Sequence, residues 1–326
     1  MKRIALYAAG LIVGLPLTLL ALGSIYQMVA AAIDRSAYPM AGALVSVDGV
    51  DLHLHCSGEA SAGPTVVLLT GMGSLSSAWH PVMDGLATTH HVCTYDREGT
   101  GWSSDSGKPR DALIAASRLR DLAANNGFRG PYILVGHSYG GVVARIFADT
   151  YPQLTGGIVL VDSAHQDMGQ RFPEEAQIAF ADLLASFALV EKLNYTGIPR
   201  AFSLMAPAVD GLEGENLAAS MSKLNTVEHM RGSAAEAEGW ERSASRARQV
   251  ATLGDMPLFV LVASGWPKFM VPSWLEMQGE LAALSSNSRF DVVEGANHSQ
   301  IAMDKRYAPR VVAAVRHVAD QAAGTN

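Results

Sequence analysis

The sequence predicts an α/β protein with a mostly parallel central sheet flanked by helices, preceded by a separate apolar N-terminal segment. Three observations carry this reading. Continuous apolar runs of strand length alternate with helical stretches, the pattern of strands buried on both faces. One such run, 132–135, leads through Gly136-His137-Ser138-Tyr139-Gly140 directly into a helix-like stretch, 142–148. Between 164 and 250 the strand signal disappears and only helical patterns remain, which predicts a helical cap inserted after the strand that ends at Asp162.

The chain has 326 residues, 49% of them hydrophobic and 17% charged, enough for one large α/β domain or two small ones. Its net charge is −7 and it has no basic patch, which argues against a nucleic-acid partner. Residues 1–36 stand apart. Lys2 and Arg3 precede a stretch without charge from 4 to 33. A membrane helix needs about 20 apolar residues and a signal-peptide core about 7–15. The length favours a retained single-pass anchor with a cytoplasmic N-terminus and the remaining domain on the extracytoplasmic side. A long cleaved signal, which would release a secreted protein, is the alternative, since Ala30-Ala31-Ala32 offers small residues for cleavage.

Along the globular part, 43–47 and 50–55 alternate about Asp48-Gly49, a hairpin signal. Strands follow at 65–69, 91–95 and 132–135, with a helix over 112–125 between the last two. Further strands are predicted at 157–161, 256–262 and 288–293. Within the cap, 174–193 reads as a helix with Ile178, Leu183, Leu184, Phe187 and Val190 broadly on one side, and 231–249 as a charged, Ala-rich helix. The core is thus assigned to 37–163 and 251–326, and the cap to 164–250.

A strand, Gly-x-Ser-x-Gly and a helix form the pattern of a nucleophile elbow, in which the tight turn lifts a serine hydroxyl to the tip of a sheet and glycines let strand and helix approach. A serine is a poor nucleophile by itself and needs a base. His53 and His55 alternate on a strand, share a face, lack a third ligand at motif spacing and are read as surface positions, so no metal site is assigned. His80, His90, His91, His229 and His317 read as ordinary loop or helix residues. His137 is the variable position of the elbow, and His165 stands at the catalytic rim, where it could line the pocket.

Five ordered motifs run through residues 43–320: Thr70-Gly71-Met72-Gly73, Tyr95-Asp96-Arg97-Glu98-Gly99-Thr100-Gly101-Trp102-Ser103, Gly136-His137-Ser138-Tyr139-Gly140-Gly141, Val161-Asp162-Ser163 and Gly295-Ala296-Asn297-His298. In these the chain resembles the α/β-hydrolase superfamily, esterases and lipases among its members. The resemblance implies Ser138 as nucleophile and His298, on the loop after the last strand, as general base. The superfamily's acid most often follows the penultimate strand, but here that strand runs into Ala263-Ser264-Gly265-Trp266-Pro267, without a carboxylate. Some members place it one strand after the nucleophile, which points to Asp162; Asp291, Glu294, Glu276 and a serine–histidine dyad remain alternatives. The oxyanion hole is assigned to the backbone N–H groups of Tyr139 and Met72. Many relatives carry His-Gly where this chain has Thr70-Gly71. Asp96 and Arg97 are read as residues that fix the rim rather than react. The implied fold puts the strands carrying Cys56 and Cys93 side by side, leaving a disulfide and two buried thiols both open.

Together these readings imply a cofactor-free, membrane-anchored serine hydrolase of carboxylic esters that works through an acyl-enzyme. Its partner is a small-molecule ester, and the cap residues Phe180, Leu184, Phe187, Phe202, Leu204 and Met205 suggest one with an apolar group. Lactonase, thioesterase or acyltransferase activity would use the same residues. Epoxide hydrolases and haloalkane dehalogenases of this fold use an aspartate nucleophile, which Ser138 argues against. A non-catalytic binding module is an answer of another class.

Overall fold

The computed structural model describes residues 2–59 and 63–324. Eight strands form one sheet in the order β1-β2-β4-β3-β5-β6-β7-β8. They are β1 (Ala43–Val47), β2 (Val50–Ser57), β3 (Val66–Leu69), β4 (Val92–Tyr95), β5 (Tyr132–His137), β6 (Thr155–Val161), β7 (Leu258–Ala263) and β8 (Ser288–Val293). β2 pairs antiparallel with β1 and β4, and every pairing from β4 across to β8 is parallel. This is the α/β-hydrolase fold. Asp48 and Gly49 both take positive φ, 50° and 76°, as a two-residue hairpin turn of the primed type requires.

The long N-terminal helix is α1 (Lys2–Ala37). The helices flanking the sheet are α2 (His80–Leu86), α3 (Ala112–Asn125), α4 (Tyr139–Thr150), and, towards the C-terminus, α11 (Val271–Ala282), α12 (Gln300–Met303) and α13 (Ala308–Gly324). Between β6 and β7 lie α5 (Met168–Arg171), α6 (Glu174–Asn194), α7 (Ile198–Ala201), α8 (Gly214–Leu224), α9 (Val227–Glu238) and α10 (Trp240–Ala247). Side chains alternate across the sheet. Val67, Leu69 and Leu134 pack with α3 and α4 through Leu119, Val143 and Ile146. Val66, Leu68, Ile133 and Val135 face the opposite layer, with Val82 and Met83 of α2 and Val311 and Val315 of α13. Both faces are covered, which is why the strands read as unbroken apolar runs. At the start of α3, Asp111 accepts from the N–H groups of Leu113 and Ile114, each at 3.0 Å, satisfying two orphan donors of the first turn.

Two local expectations are corrected. The helix expected over 231–249 is instead two helices, α9 and α10, that meet at Gly239, which packs so closely on the Arg110 carbonyl that no Cβ would fit. The apolar side expected for α6 is divided: Ile178 and Leu183 are exposed, Leu184 packs against the core, and the Phe187 ring lies on Gly73. Cys56 and Cys93 are direct partners in the β2–β4 register and form a disulfide.

Candidate active site

β5 ends at His137 and α4 begins at Tyr139, which leaves Ser138 alone to turn the chain, at φ 52° and ψ −120°. A non-glycine residue held there costs about 1–3 kcal/mol, strain that the surrounding structure must impose. Two glycines make the turn feasible. A Cβ on Gly136 would come within 2.5 Å of Gly141 Cα, and one on Gly140 would run into the Leu69 carbonyl. Tyr139 heads α4, so its N–H has no acceptor within the helix.

His298, on the loop after β8, donates from Nδ1 to Asp162 Oδ2 at 2.6 Å. That bond leaves the lone pair on Nε2. Asp162 stands directly after β6, fully buried, at φ 43°. Its carboxylate also accepts from the Ala263 N–H at 3.0 Å, from Trp274 Nε1 at 2.9 Å and from Trp266 Nε1 at 3.0 Å. The stretch after β7, which lacks a carboxylate, thus supplies donors to one on the neighbouring strand. The other carboxylates considered lie elsewhere: Asp291 pairs with Arg310, Glu276 with Arg171, and Glu294 is exposed.

His137 was legible only as the elbow's variable residue. Its Nε2–H donates to the His298 carbonyl at 2.7 Å, and the two rings lie 4.7 Å apart. Burial pushes its pKa down to about 3, so it stays a neutral donor. The turn that carries Ser138 therefore also holds the His298 backbone. Among the described residues, Ser138 Oγ makes no hydrogen bond to the His298 ring.

The loop after β3 lies against the elbow: a Cβ on Gly71 would stand 3.2 Å from Ser138 Cβ. Arg97, after β4, holds that loop from behind. Its Nη1 donates to the Thr70 carbonyl at 2.7 Å and its Nη2 to the Gly71 carbonyl at 2.8 Å. C=O and N–H point opposite ways across a trans peptide, so fixing the Gly71 carbonyl towards Arg97 aims the Met72 N–H away from it. Glu236 of α9 completes the clamp, accepting from Arg97 Nε at 2.5 Å and Nη2 at 2.9 Å. Burial by itself would lower the Arg97 pKa, and Glu236 more than reverses this, so the guanidinium stays charged. Two turns earlier on α9, His229 Nε2–H donates to the Gly73 carbonyl at 3.1 Å, while its Nδ1 accepts from the Gly101 N–H, also at 3.1 Å. Neither Glu236 nor His229 was found from the sequence; their partners lie more than a hundred residues away and no local pattern marks them.

His53 was expected at the surface but is 2% exposed. It donates from Nδ1 to Asp96 Oδ2 at 2.8 Å and from Nε2 to the Ala41 carbonyl at 2.5 Å. Asp96 also accepts from the Ser76 and Trp102 N–H groups, at 2.7 and 3.2 Å. Burial opposes charge on His53, but Asp96 outweighs it and raises the pKa. His55 is half-buried, its ring edge-on to His80. His165 is buried beside Gln166 and Glu280 rather than lining the cleft described next.

A cleft of about 680 Å³ opens at His298. One wall is the loop with Asn297 and Ser299, together with Trp266. The other is the insertion segment 206–212, with Leu217 of α8. Asp210 at its rim accepts from Asn297 Nδ2 at 2.7 Å and Gln300 Nε2 at 3.1 Å, tying the insertion to the His298 loop.

Comparison with known proteins agrees with this fold. An uncharacterized protein of Schizosaccharomyces pombe is 24% identical over 281 residues, 76% of this chain and 50% of its own. The chain spans about half the length of the curated relatives it matches. Among solved structures, a thermophilic esterase from Thermogutta terrifontis superposes with a TM-score of 0.63 at 21% identity, covering 85% of this chain and 97% of that one. A bacterial membrane phospholipase A gives 0.63 at 22% identity, over 98% and 99%. At such identities the likeness carries the fold. The alpha/beta hydrolase family model matches residues 66–315, most of the chain, and the chain belongs to that family.

Proposed function

We propose that the chain is a serine hydrolase of carboxylic esters, held at a membrane by α1, with the 164–250 insertion acting as a cap over the site. The observation that carries the reading is the hydrogen bond from His298 to the buried Asp162 carboxylate, beside a strained Ser138 at the elbow. Ser138 Oγ attacks the ester carbonyl carbon while His298 Nε2 takes its proton. The oxyanion that forms accepts from the N–H groups of Met72 and Tyr139. Collapse breaks the carbon–oxygen bond to the alcohol, which leaves with the proton from His298, and the acyl group stays on Ser138. Water then attacks the acyl carbon, giving its proton to His298, and the acid departs as Ser138 recovers the proton. Asp162 holds His298 in the tautomer that makes Nε2 the base and stabilises the imidazolium. A hydrogen bond between Ser138 and His298 of this kind tightens in the substrate complex.

The esterase and the phospholipase of like fold support an ester substrate. Helix α1 contains a 25-residue span, Val13–Ala37, in which an 18-residue window has mean hydropathy 1.6, long and apolar enough to cross a bilayer. A fluorophosphonate probe tests the reading: it labels the purified protein and not Ser138→Ala. Equal labelling of both, or none of either, refutes it.

A further inference from the structure

Helix α1 packs on the insertion through its C-terminal half. Gly23 meets the Thr196 carbonyl too closely for a Cβ to fit. Gln27 Nε2 donates to the Asn225 carbonyl at 2.6 Å, and its Oε1 accepts from Arg200 Nε at 3.0 Å. Arg200 also pairs with Asp34. The turn 195–204 is thereby fixed to a known height along α1.

That height can be bounded. The 30 uncharged residues from 4 to 33 make a helix about 45 Å long. This exceeds the hydrocarbon core, about 30 Å, by about 15 Å. If the core begins just past Arg3, it ends near Gly23. If it ends at Ile33, Gly23 lies about 15 Å inside it. In either limit, the turn resting on Gly23 sits at or below the lipid boundary.

The same turn presents apolar side chains outward. Phe202 is 73% exposed, and Tyr195, Ile198 and Leu204 are between 38% and 50% exposed. Such a cluster beside a spanning helix fits lipid, with Tyr195 suited to the headgroup level. Two residues beyond Leu204 the chain becomes a wall of the cleft at His298, starting at Ala206.

We propose that the 195–204 turn docks on the lipid bilayer beside α1, so that the His298 cleft draws an acyl ester from that bilayer. The proposal rests on the reading of α1 as a span and of Ser138 as nucleophile. The chemistry is the hydrolysis above, one water consumed for each acid and alcohol released.

Among the described residues there is no free cysteine. Full-length Phe202→Cys can therefore carry a single nitrobenzoxadiazole label, with Leu44→Cys, exposed on β1, as the control. In phosphatidylcholine vesicles containing doxyl-labelled lipid, the label at position 202 should lose about half its emission or more, and the label at position 44 should lose none. Equal emission loss at the two positions overturns the docking face. Protein stripped from the vesicles by alkaline carbonate overturns the span and the proposal with it. In a second arm, Tyr195→Glu with Ile198→Glu, both exposed on the turn, should lower hydrolysis of diacylglycerol in vesicles about tenfold and leave a soluble short-chain aryl ester at the parental rate. Unchanged rates on both, or equal loss on both, overturn the lipid route. A parent chain that cleaves neither ester overturns the substrate half together with the hydrolase reading, while the label still decides the docking face.

Discussion

Glu236 reaches from helix α9 to Arg97 in the core, and Arg97 holds the carbonyls of Thr70 and Gly71 with its remaining donors. The orientation of the Met72 N–H therefore depends on a side chain of the insertion. Glu236→Gln keeps the shape and removes the charge. It should lower kcat about tenfold to a hundredfold at nearly unchanged KM, less than the loss of a whole oxyanion donor. Arg97→Lys should not substitute, because an ammonium lacks the planar fork that reaches both carbonyls. Steady-state kinetics on an aryl ester read this, and an effect on KM alone would place the clamp outside the reaction.

Trp266→Phe and Trp274→Phe each remove one N–H donor from the buried Asp162 carboxylate. A hydrogen bond to a charged group contributes about 1.5–3 kcal/mol. Each variant should lose stability of that order in urea denaturation, with a fall in kcat as Asp162 gains freedom. Unchanged stability in both would mean that the indoles do not hold the carboxylate.

Burial pushes the pKa of His137 down to about 3, and those of His165 and His229 down to about 4. In the unfolded chain these groups titrate near 6.5. Between pH 6.5 and 5 the unfolded state binds protons that the folded state refuses. Stability is therefore full above pH 6.5 and falls as pH drops, by up to about 1.4 kcal/mol per unit for each histidine. His53, with its raised pKa, is charged in both states below 6.5 and does not offset this. A urea midpoint that stays flat from pH 7 to 5 would contradict the neutral, buried assignment.

Asp162→Asn should reduce kcat by about 10³–10⁴-fold, since the amide no longer fixes the Nδ1–H tautomer of His298. Asp291→Asn, which alters the exposed pair with Arg310 and a hydrogen bond from the Val292 N–H, should leave turnover unchanged. The reverse pattern would move the acid to β8.

The sheet was legible because strands covered on both faces write unbroken apolar runs, and the elbow because Gly136, Ser138 and Gly140 follow from local geometry. The close packing at Gly239 was not, since the Arg110 carbonyl it meets comes from a distant loop. His53 misled because strand alternation gives a face but not what covers it; here it meets Asp96. His229 and Glu236 stayed hidden for a related reason. Seven residues apart on one helix, they share a face, but their meaning lies in the loops at Gly73 and Gly101, which only tertiary packing brings to them.

The most direct measurement is the intact mass of the protein during turnover of an activated aryl ester, followed by peptide mapping. An acyl adduct on Ser138 that builds up within the burst and disappears on hydrolysis is the expected result, with none in Ser138→Ala. Turnover without an adduct, or an adduct on another residue, would contradict the account.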